Sequence, residues 1–334
     1  MKLIIQIPCY NEAKTLEVTL NDLPKKIDGI DEIEYLIIND GSSDNTVEVA
    51  RNWGVHYVVN FKQNKGLAKG FMAGIDACLR AGADIIVNTD ADNQYNGDDI
   101  EAIVRPILDG KADIVIGERP IDQTEHFSPL KKKLQHAGSW TVRMASDTDI
   151  PDAPSGFRAY SREAALHLNV TNEYTYTLET IIQAGYQRIP MTSVPIRTNP
   201  ELRKSRLFSS MGKYVKRSAV TIIRSFMMYR PLKFFITLGV IFLLVGLAVD
   251  IRFMYFFFHG SSKGHVQSLI LASTFVLMGV ETIIIGMQSD NIASLRKILE
   301  DVQYHVRRID YKLQEDEDGK TVVLDETKKP ADRT

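Results

Sequence analysis

Short apolar, β-branched runs alternate with amphipathic stretches along the first 120 residues. The runs Leu3–Ile7, Glu34–Ile38, His56–Val59, Asp84–Asn88 and Asp113–Ile116 predict strands. Helical spacing between them predicts helices over Lys14–Leu23, Asn45–Asn52, Leu67–Ala81 and Asp98–Leu108. This alternation predicts an α/β domain built on a mostly parallel sheet with helices on both faces. Residues 121–150 are polar and irregular and predict a mobile loop or short helices. The pattern resumes with a Ser-Gly-Phe turn at Ser155–Phe157, helices near Arg162–Leu168 and Thr177–Ala184, and a strand near Arg188–Val194.

The pattern changes after Pro231. Leu232–Val249 and Val266–Met287 are two long apolar runs. At 1.5 Å per residue, about 20 residues cover the roughly 30 Å hydrocarbon core of a bilayer. Two buried helices of a soluble domain are the alternative, but those are normally shorter and amphipathic. The short linker His259–His265 makes the two runs a transmembrane hairpin. Basic residues crowd the segment before the first span, and Arg296, Lys297, Arg307 and Arg308 follow the second. The positive-inside rule then places the α/β domain and both termini in the cytoplasm, on a multi-pass protein of the cell (inner) membrane. Glu281 lies within the second span and is costly there unless it faces a partner helix or another subunit.

Segments 209–230 and 290–315 flank the hairpin of 231–289. The first alternates basic residues with Met211, Tyr214, Val215, Val220, Ile222, Ile223, Phe226 and Met227. It predicts a helix lying in the membrane interface; a basic helix capping the domain of 1–208 is a compatible alternative. In the second, Ile292, Leu295, Leu299, Val302, Val306, Ile309 and Leu313 follow alternating steps of three and four. This is a heptad seam. It predicts either a coiled coil joining subunits into a homo-oligomer or an amphipathic helix on the α/β domain. Residues 316–334 are charged and predict a disordered tail.

With 334 residues the chain has room for one large or two modest domains. Its formal charge of −2 argues against a nucleic-acid partner bound through bulk electrostatics. That balance hides an asymmetry. Arg203, Lys204, Arg206, Lys213, Lys216, Arg217, Arg224 and Arg230 lie between Arg197 and Lys233, with Glu201 the sole acid among them. Cys9 and Cys78 form neither a disulfide framework nor a metal spacing and read as core residues. The first apolar run is too short for a signal peptide.

Candidate chemistry gathers at strand ends. Asp90 and Asp92, in Asn88-Thr89-Asp90-Ala91-Asp92-Asn93-Gln94, follow the fourth strand. In an open α/β sheet that is where ligands bind. Two hard carboxylates suit Mg²⁺ or Mn²⁺ holding a diphosphate. Tyr10 and Glu12 follow the first strand and suit a nucleobase and ribose. Asp40, at the end of the second, suits a base N–H. Gly41 permits the tight turn after it, and Ser43 or Asp44 suits the cap of the next helix. In Asn64–Gly70, Gly66 allows close backbone approach at a helix start, and Lys65 suits a phosphate.

These stretches resemble the family 2 glycosyltransferases of GT-A fold. Ser155-Gly156-Phe157-Arg158-Ala159-Tyr160, Val194-Pro195-Ile196-Arg197 and Arg203-Lys204-Ser205-Arg206-Leu207 are similar to the polyprenyl-phosphate branch. That branch contains dolichyl-phosphate mannose synthases and undecaprenyl-phosphate glycosyltransferases. The resemblance covers residues 3–210. It implies a nucleotide-sugar donor held by Pro8, Tyr10, Glu12, Asp40, Lys65, Asp90, Ala91 and Arg119. It further implies Mg²⁺ or Mn²⁺ at Asp90, Asp92 and Gln94, and a polyprenyl phosphate (dolichyl or undecaprenyl) held by Arg197, Arg203 and Arg206. Asp92, Arg203 and Arg206 are the implied catalytic residues. The family carries Lys where this chain has Arg206, and the preceding loop differs in length, which leaves Arg197 and Arg203 as alternatives for one role.

The resemblance implies inverting transfer of a sugar to the lipid phosphate. A phosphate monoester has a second pKa of about 6 and is already largely a dianion at neutral pH. It needs no strong base, and Glu179, the nearby acid, reads as a helix-surface residue. Three readings compete. A processive polysaccharide synthase would carry a Gln-x-x-Arg-Trp element, a context that neither Trp53 nor Trp140 has. A transferase acting on a lipid hydroxyl would need a catalytic base. A non-catalytic lipid-binding member would not need Asp90, Asp92 and the basic cluster.

Overall fold

A computed structural model describes residues 1–120, 138–144, 146–171, 176–200, 211–259 and 266–317. Helical residues 138–144 account for part of the polar stretch 121–150. Arg203 and Arg206, the linker 260–265 and the tail from 318 lie outside the described residues.

The α/β unit is built from β1 (Lys2–Cys9), α1 (Leu16–Asp22), β2 (Glu32–Asn39), α2 (Thr46–Trp53), β3 (Tyr57–Asn60), α3 (Leu67–Arg80), β4 (Ile85–Asn88), α4 (Ile100–Leu108) and β5 (Ile114–Glu118). It continues with β6 (Arg158–Ser161), α5 (Arg162–His167), α6 (Thr177–Gln187) and β7 (Met191–Pro195). The strands form one seven-stranded sheet in the order β3-β2-β1-β4-β6-β5-β7. All its pairings are parallel except those of β6, which runs antiparallel between β4 and β5. The predicted α/β class and mostly parallel sheet hold, with each shared element displaced by no more than a few residues.

Strand β6 was not foreseen, and Arg158 is the reason. An arginine at the start of a four-residue strand breaks the apolar pattern that marks a buried strand. Yet the whole side chain is buried. Its guanidinium donates to Ser155 O (2.8 Å), Ala153 O (2.7 Å) and Thr180 Oγ1 (2.7 Å). Three neutral acceptors disperse one charge, which is how a cation is tolerated in a core.

Apolar side chains of β1, β2, β4, β5 and β6 meet α1 and α4 in a dry core that includes Leu3, Ile5, Ile7, Leu16, Leu20, Ile85, Val87, Ile103 and Phe157. The order of strand addition reverses between β1 and β4. Strands β2 and β3 are added on one side of β1, then β4 on the other. The motif after β4 therefore sits at a topological switch point. Register aligns Cys9 with Asn39, Asn39 with Asn60, and Gln6 with Asn88. The loops after β1, β2, β3 and β4 thus leave the same edge of the sheet.

The chain divides into two units, Met1–Ile222 with Asp301–Thr334, and Ile223–Glu300. Helix α7 (Met211–Tyr229) precedes α8 (Pro231–Phe258) and α9 (Val266–Glu317). Both α8 and α9 are long and apolar enough to cross a membrane. Within their unit they pack antiparallel through glycines. A Cβ on Gly239 would lie 2.9 Å from Gly279 O, and one on Gly246 would lie 3.1 Å from Ala272 O. Close backbone approach at small residues is the usual basis of helix pairing in lipid.

The end of α9 belongs to the α/β unit and packs on α3 and α5. Tyr304 donates to Glu163 (2.7 Å) and stacks on His167. Tyr311 donates to Asp76 (2.6 Å), and Arg307 donates to Leu168 O (2.8 Å), capping α5. The end of α9 thus docks on the α/β unit through residues outside the heptad seam. Ile292, Leu295, Leu299, Val302, Val306 and Ile309 remain exposed, and the side chain of Leu313 lies outside the described residues.

Replacing Arg158 by Met leaves three buried acceptors short of a donor and is expected to lower stability by about 3 kcal/mol. The denaturant midpoint measures this; a loss below about 1 kcal/mol would contradict the role given to the buried guanidinium.

Candidate active site

The loops after β1 and β2 lock together. Asn11 takes a left-handed φ of 56°, and its amide donates to Ser42 Oγ (2.9 Å) while its side chain accepts from the Ser43 amide (2.8 Å). The Glu12 amide donates to Thr46 Oγ1 (2.9 Å). Asp44 accepts from the Thr46 amide (3.1 Å) and the Ala13 amide (3.2 Å), so it fastens the start of α2 to the first loop. Desolvation pushes the Asp44 carboxyl up, but these bonds outweigh it and hold it below its ordinary range. Glu12 is buried, with Thr15 Oγ1 donating to it (3.0 Å). Tyr10 is exposed at the rim, and Pro8 is half-buried at the end of β1.

Asp40 is also buried, and its two oxygens accept from the amides of Lys65 (2.6 Å) and Gly66 (3.0 Å). It therefore draws the loop before α3 against the end of β2. Gly41 makes this possible. Its φ is +67°, and a Cβ there would lie 2.4 Å from the carbonyl carbon of Gln63. The Lys65 ammonium lies over the Phe61 ring at 4.4 Å.

Asp90 stands against a wall of neutral groups. A Cβ on Gly156 would lie 3.4 Å from both Asp90 oxygens and 3.1 Å from the Tyr176 hydroxyl. The Asn88 amide nitrogen donates to Gly156 O (2.9 Å) and to Tyr176 Oη (2.8 Å), and Gln6 donates to Asn88 Oδ1 (3.0 Å). The Gly156 amide donates to Tyr95 Oη (3.1 Å). Burial pushes the Tyr95 phenol up to about 12 and the Tyr176 phenol well above its usual value, with Asp90 adding to both, so both stay neutral. Phe71 stacks on Tyr176 and Phe157 on Tyr95.

The other motif residues fall nearby. Ala91 is buried, and its carbonyl accepts from Thr19 (3.0 Å). Asp92 accepts from the Gln94 amide (3.3 Å), closing the turn. Asp90 and Asp92 are only partly exposed. Asn93 Oδ1, between Asp92 and Gln94, is buried without a hydrogen-bond partner. Among the described residues there is no cluster of three or more His, Cys, Asp or Glu able to cage a metal. Two carboxylates and an orphan amide oxygen do fit Mg²⁺ or Mn²⁺, which completes its shell with water and ligand phosphates.

Two arginines are held by acids that sequence reasoning missed. Arg119, just after β5, is gripped by Asp152 through Nε (2.7 Å) and Nη2 (2.9 Å). Asp152 is only 1% exposed. Arg197 is gripped by Asp99 through Nε (2.9 Å) and Nη2 (2.7 Å). The next residues join the same loop: Thr198 bridges to Tyr95, and the Asn199 amide donates to Gln94 O (2.8 Å). Residues 197–199 are thus stitched to the loop carrying Asp90 and Asp92. Glu179 requires a correction: it is buried on α6, not on a helix surface, and accepts from the Thr171 amide (3.1 Å) and hydroxyl (2.8 Å). No sequence signal marked Asp99 or Asp152, whose partners lie 98 and 33 residues away. Tyr95, by contrast, directly follows the Asp-x-Asp motif.

Comparison with known proteins places this arrangement among relatives. The family model described as glycosyl transferase family 2 matches residues 4–168. The UDP-N-acetylglucosamine–dolichyl-phosphate N-acetylglucosaminyltransferase of Methanococcus voltae is 30% identical over 214 residues, covering 58% of this chain and 83% of that protein. The undecaprenyl-phosphate mannosyltransferase of Micrococcus luteus is 29% identical over 236 residues, covering 67% of this chain and 93% of that protein. In fold, the chain is similar to glucosyl-3-phosphoglycerate synthase of Mycobacterium tuberculosis, solved with Mn²⁺, UDP-glucose and phosphoglyceric acid. The TM-score is 0.55 at 18% identity, covering 67% of this chain and 79% of that one.

Gly156→Ala is expected to push the Tyr176 hydroxyl by a few tenths of an ångström, disturbing its bond from Asn88 and the backing of Asp90, and to weaken Mn²⁺-dependent binding of a nucleoside diphosphate about fivefold, roughly 1 kcal/mol. Calorimetric titration measures it, with the melting temperature as the control for folding; unchanged affinity would contradict the backing role of Gly156.

Proposed function

Since the chain belongs to glycosyl transferase family 2, we propose that it transfers a sugar from a nucleoside-diphosphate donor to a polyprenyl monophosphate, dolichyl or undecaprenyl, with inversion at the anomeric carbon. The chain is a glycosyltransferase by family; the acceptor and the stereochemistry are our reading. The Micrococcus luteus and Methanococcus voltae relatives are named for lipid-phosphate acceptors, which supports it. The observation that carries the reading is the stitch between the loop of Asp90 and Asp92 and the segment of Arg197–Asn199. It brings the described residues 197–199 against the loop of Asp90 and Asp92, and in our reading the basic residues that follow in the sequence serve the acceptor phosphate.

In this reading Tyr10 stacks on the base. Asp40, with each oxygen already accepting one amide, uses a remaining lone pair for a base N–H. Glu12 accepts from the ribose. A divalent cation bound by Asp90 and Asp92 would offset the charge developing on the leaving diphosphate. Arg203 and Arg206 hold the acceptor phosphate, whose oxygen forms the new bond to the anomeric carbon as the bond to the diphosphate breaks on the opposite side. A dianionic nucleophile needs no general base, so the protein contributes positioning and charge stabilisation. The burial of Glu179 beneath Thr171 agrees with this.

Helices α8 and α9 would span the membrane as a hairpin, with α7 at the interface. The site would then lie at the cytoplasmic headgroup plane, where the lipid phosphate lies. A lipid-hydroxyl acceptor is the second reading, and it would require a base that the acceptor phosphate makes unnecessary.

Asp92→Asn is expected to lower transfer of labelled sugar to polyprenyl phosphate at least about a thousandfold, roughly 4 kcal/mol of barrier, while leaving the chain folded. Chelation of divalent metal should abolish transfer in the unaltered chain, and Mn²⁺ or Mg²⁺ should restore it. Near-normal turnover by the variant, or turnover insensitive to chelation, would sink the metal-site reading.

A further inference from the structure

Helix α9 presents two opposite faces along its length. One is used within the chain: Ala272, Val276, Gly279, Ile283 and Gly286 lie against α8. The other points away from α8 and carries a heptad stripe. Met278, Ile285, Ile292 and Leu299 repeat every seven residues, and Thr274, Glu281, Gln288 and Leu295 repeat in the second position. All eight are exposed, the apolar members by 42% to 68%.

The stripe is unusual in being polar where the helix is otherwise suited to lipid. Glu281 lies fifteen residues after Val266, about 22 Å along the helix at 1.5 Å per residue. A carboxyl facing hydrocarbon at that depth is costly unless another polar group meets it. The apolar part is equally exposed where the helix is no longer lipid-suited: Arg296, Lys297 and Glu300 surround Ile292, Leu295 and Leu299. One occupant answers both problems. Heptad spacing specifies a helix that supercoils with its own kind. Two copies inserted with the same topology present this stripe in parallel. Only parallel, in-register pairing sets Glu281 and Gln288 against their counterparts and Ile292, Leu295 and Leu299 against theirs. An antiparallel partner would put polar positions against leucines.

We infer that α9 pairs in parallel with α9 of a second copy of this chain, along Thr274, Met278, Glu281, Ile285, Gln288, Ile292, Leu295 and Leu299. The pairing rests on the membrane placement proposed above. A hydrogen bond between the two Glu281 carboxyls, which requires that one of them carry a proton, acts in hydrocarbon, where no hydrophobic drive exists between apolar helices. Knobs-into-holes packing of Ile292, Leu295 and Leu299 acts beyond it.

Cysteine cross-linking in native membranes tests the pairing, because Cys9 and Cys78 are both buried. Each single variant Ile292→Cys, Leu295→Cys and Lys297→Cys is oxidised in membranes after a carbonate wash. Lys297 is exposed on the opposite face and serves as the control. The account expects covalent dimers at positions 292 and 295 at least about fivefold above those at 297, since same-position residues of an in-register pair face one another. In the Leu295→Cys background, Glu281→Leu should lower the yield and Glu281→Gln should keep it. Yields at 292 and 295 no higher than at 297, in membranes that retain the chain, would overturn the pairing. An unchanged yield in Glu281→Leu would overturn the part assigned to Glu281. Loss of the chain to the carbonate supernatant would overturn the membrane placement, and the pairing with it.

Discussion

The side-chain amide of Asn88 holds the site together. It receives one hydrogen bond from Gln6 on β1 and gives two, to the Gly156 carbonyl and the Tyr176 hydroxyl. Every atom of that exchange is buried, where a lost partner costs the full desolvation of the group left behind. Through it the end of β4 is registered against the turn before β6 and against the start of α6. Gly156 then backs Asp90, and Tyr95 and Tyr176 keep the backing neutral. The Asp90 carboxylate thus stands against a buried, uncharged backing at the end of β4.

A second layer of order ties the loops to one another. Asp40 gathers the loop before α3, Asp44 fastens the first loop to the second, and Asp99 holds the segment of Arg197. Each acid accepts from backbone amides or from a guanidinium, so its charge goes to fixing loop geometry. Such bonds preorganise these loops and the segment of Arg197 relative to one another.

Much of this was legible in the sequence because it is local. The apolar runs gave the parallel strands, and Asp90, Asp92, Asp40 and Tyr10 were readable from their place at strand ends. Strand β6 was not, since Arg158 interrupts its pattern and is buried only because carbonyls from elsewhere in the chain receive it. Asp99 and Asp152 were hidden for a related reason: an acid in a polar loop gives no hint of an arginine brought to it by the fold. Glu179 looked like a surface residue because helix periodicity does not report what packs on a helix from a distant turn. The heptad seam was visible, and so was the alternative of docking on the α/β unit. Opposite faces of α9 make the two compatible, with Tyr304 and Tyr311 docked while Val302, Val306 and Ile309 stay exposed.

The central claim is that a lipid phosphate accepts the sugar. Its most direct test offers the full-length protein, in lipid nanodiscs with Mn²⁺, a panel of labelled UDP- and GDP-sugars together with either a polyprenyl phosphate or the corresponding polyprenyl alcohol. The account predicts that one donor delivers label to the phosphate lipid, with release of the nucleoside diphosphate, and that the alcohol receives none. Label on the alcohol, or on bilayer lipid when the polyprenyl phosphate is omitted, would contradict it.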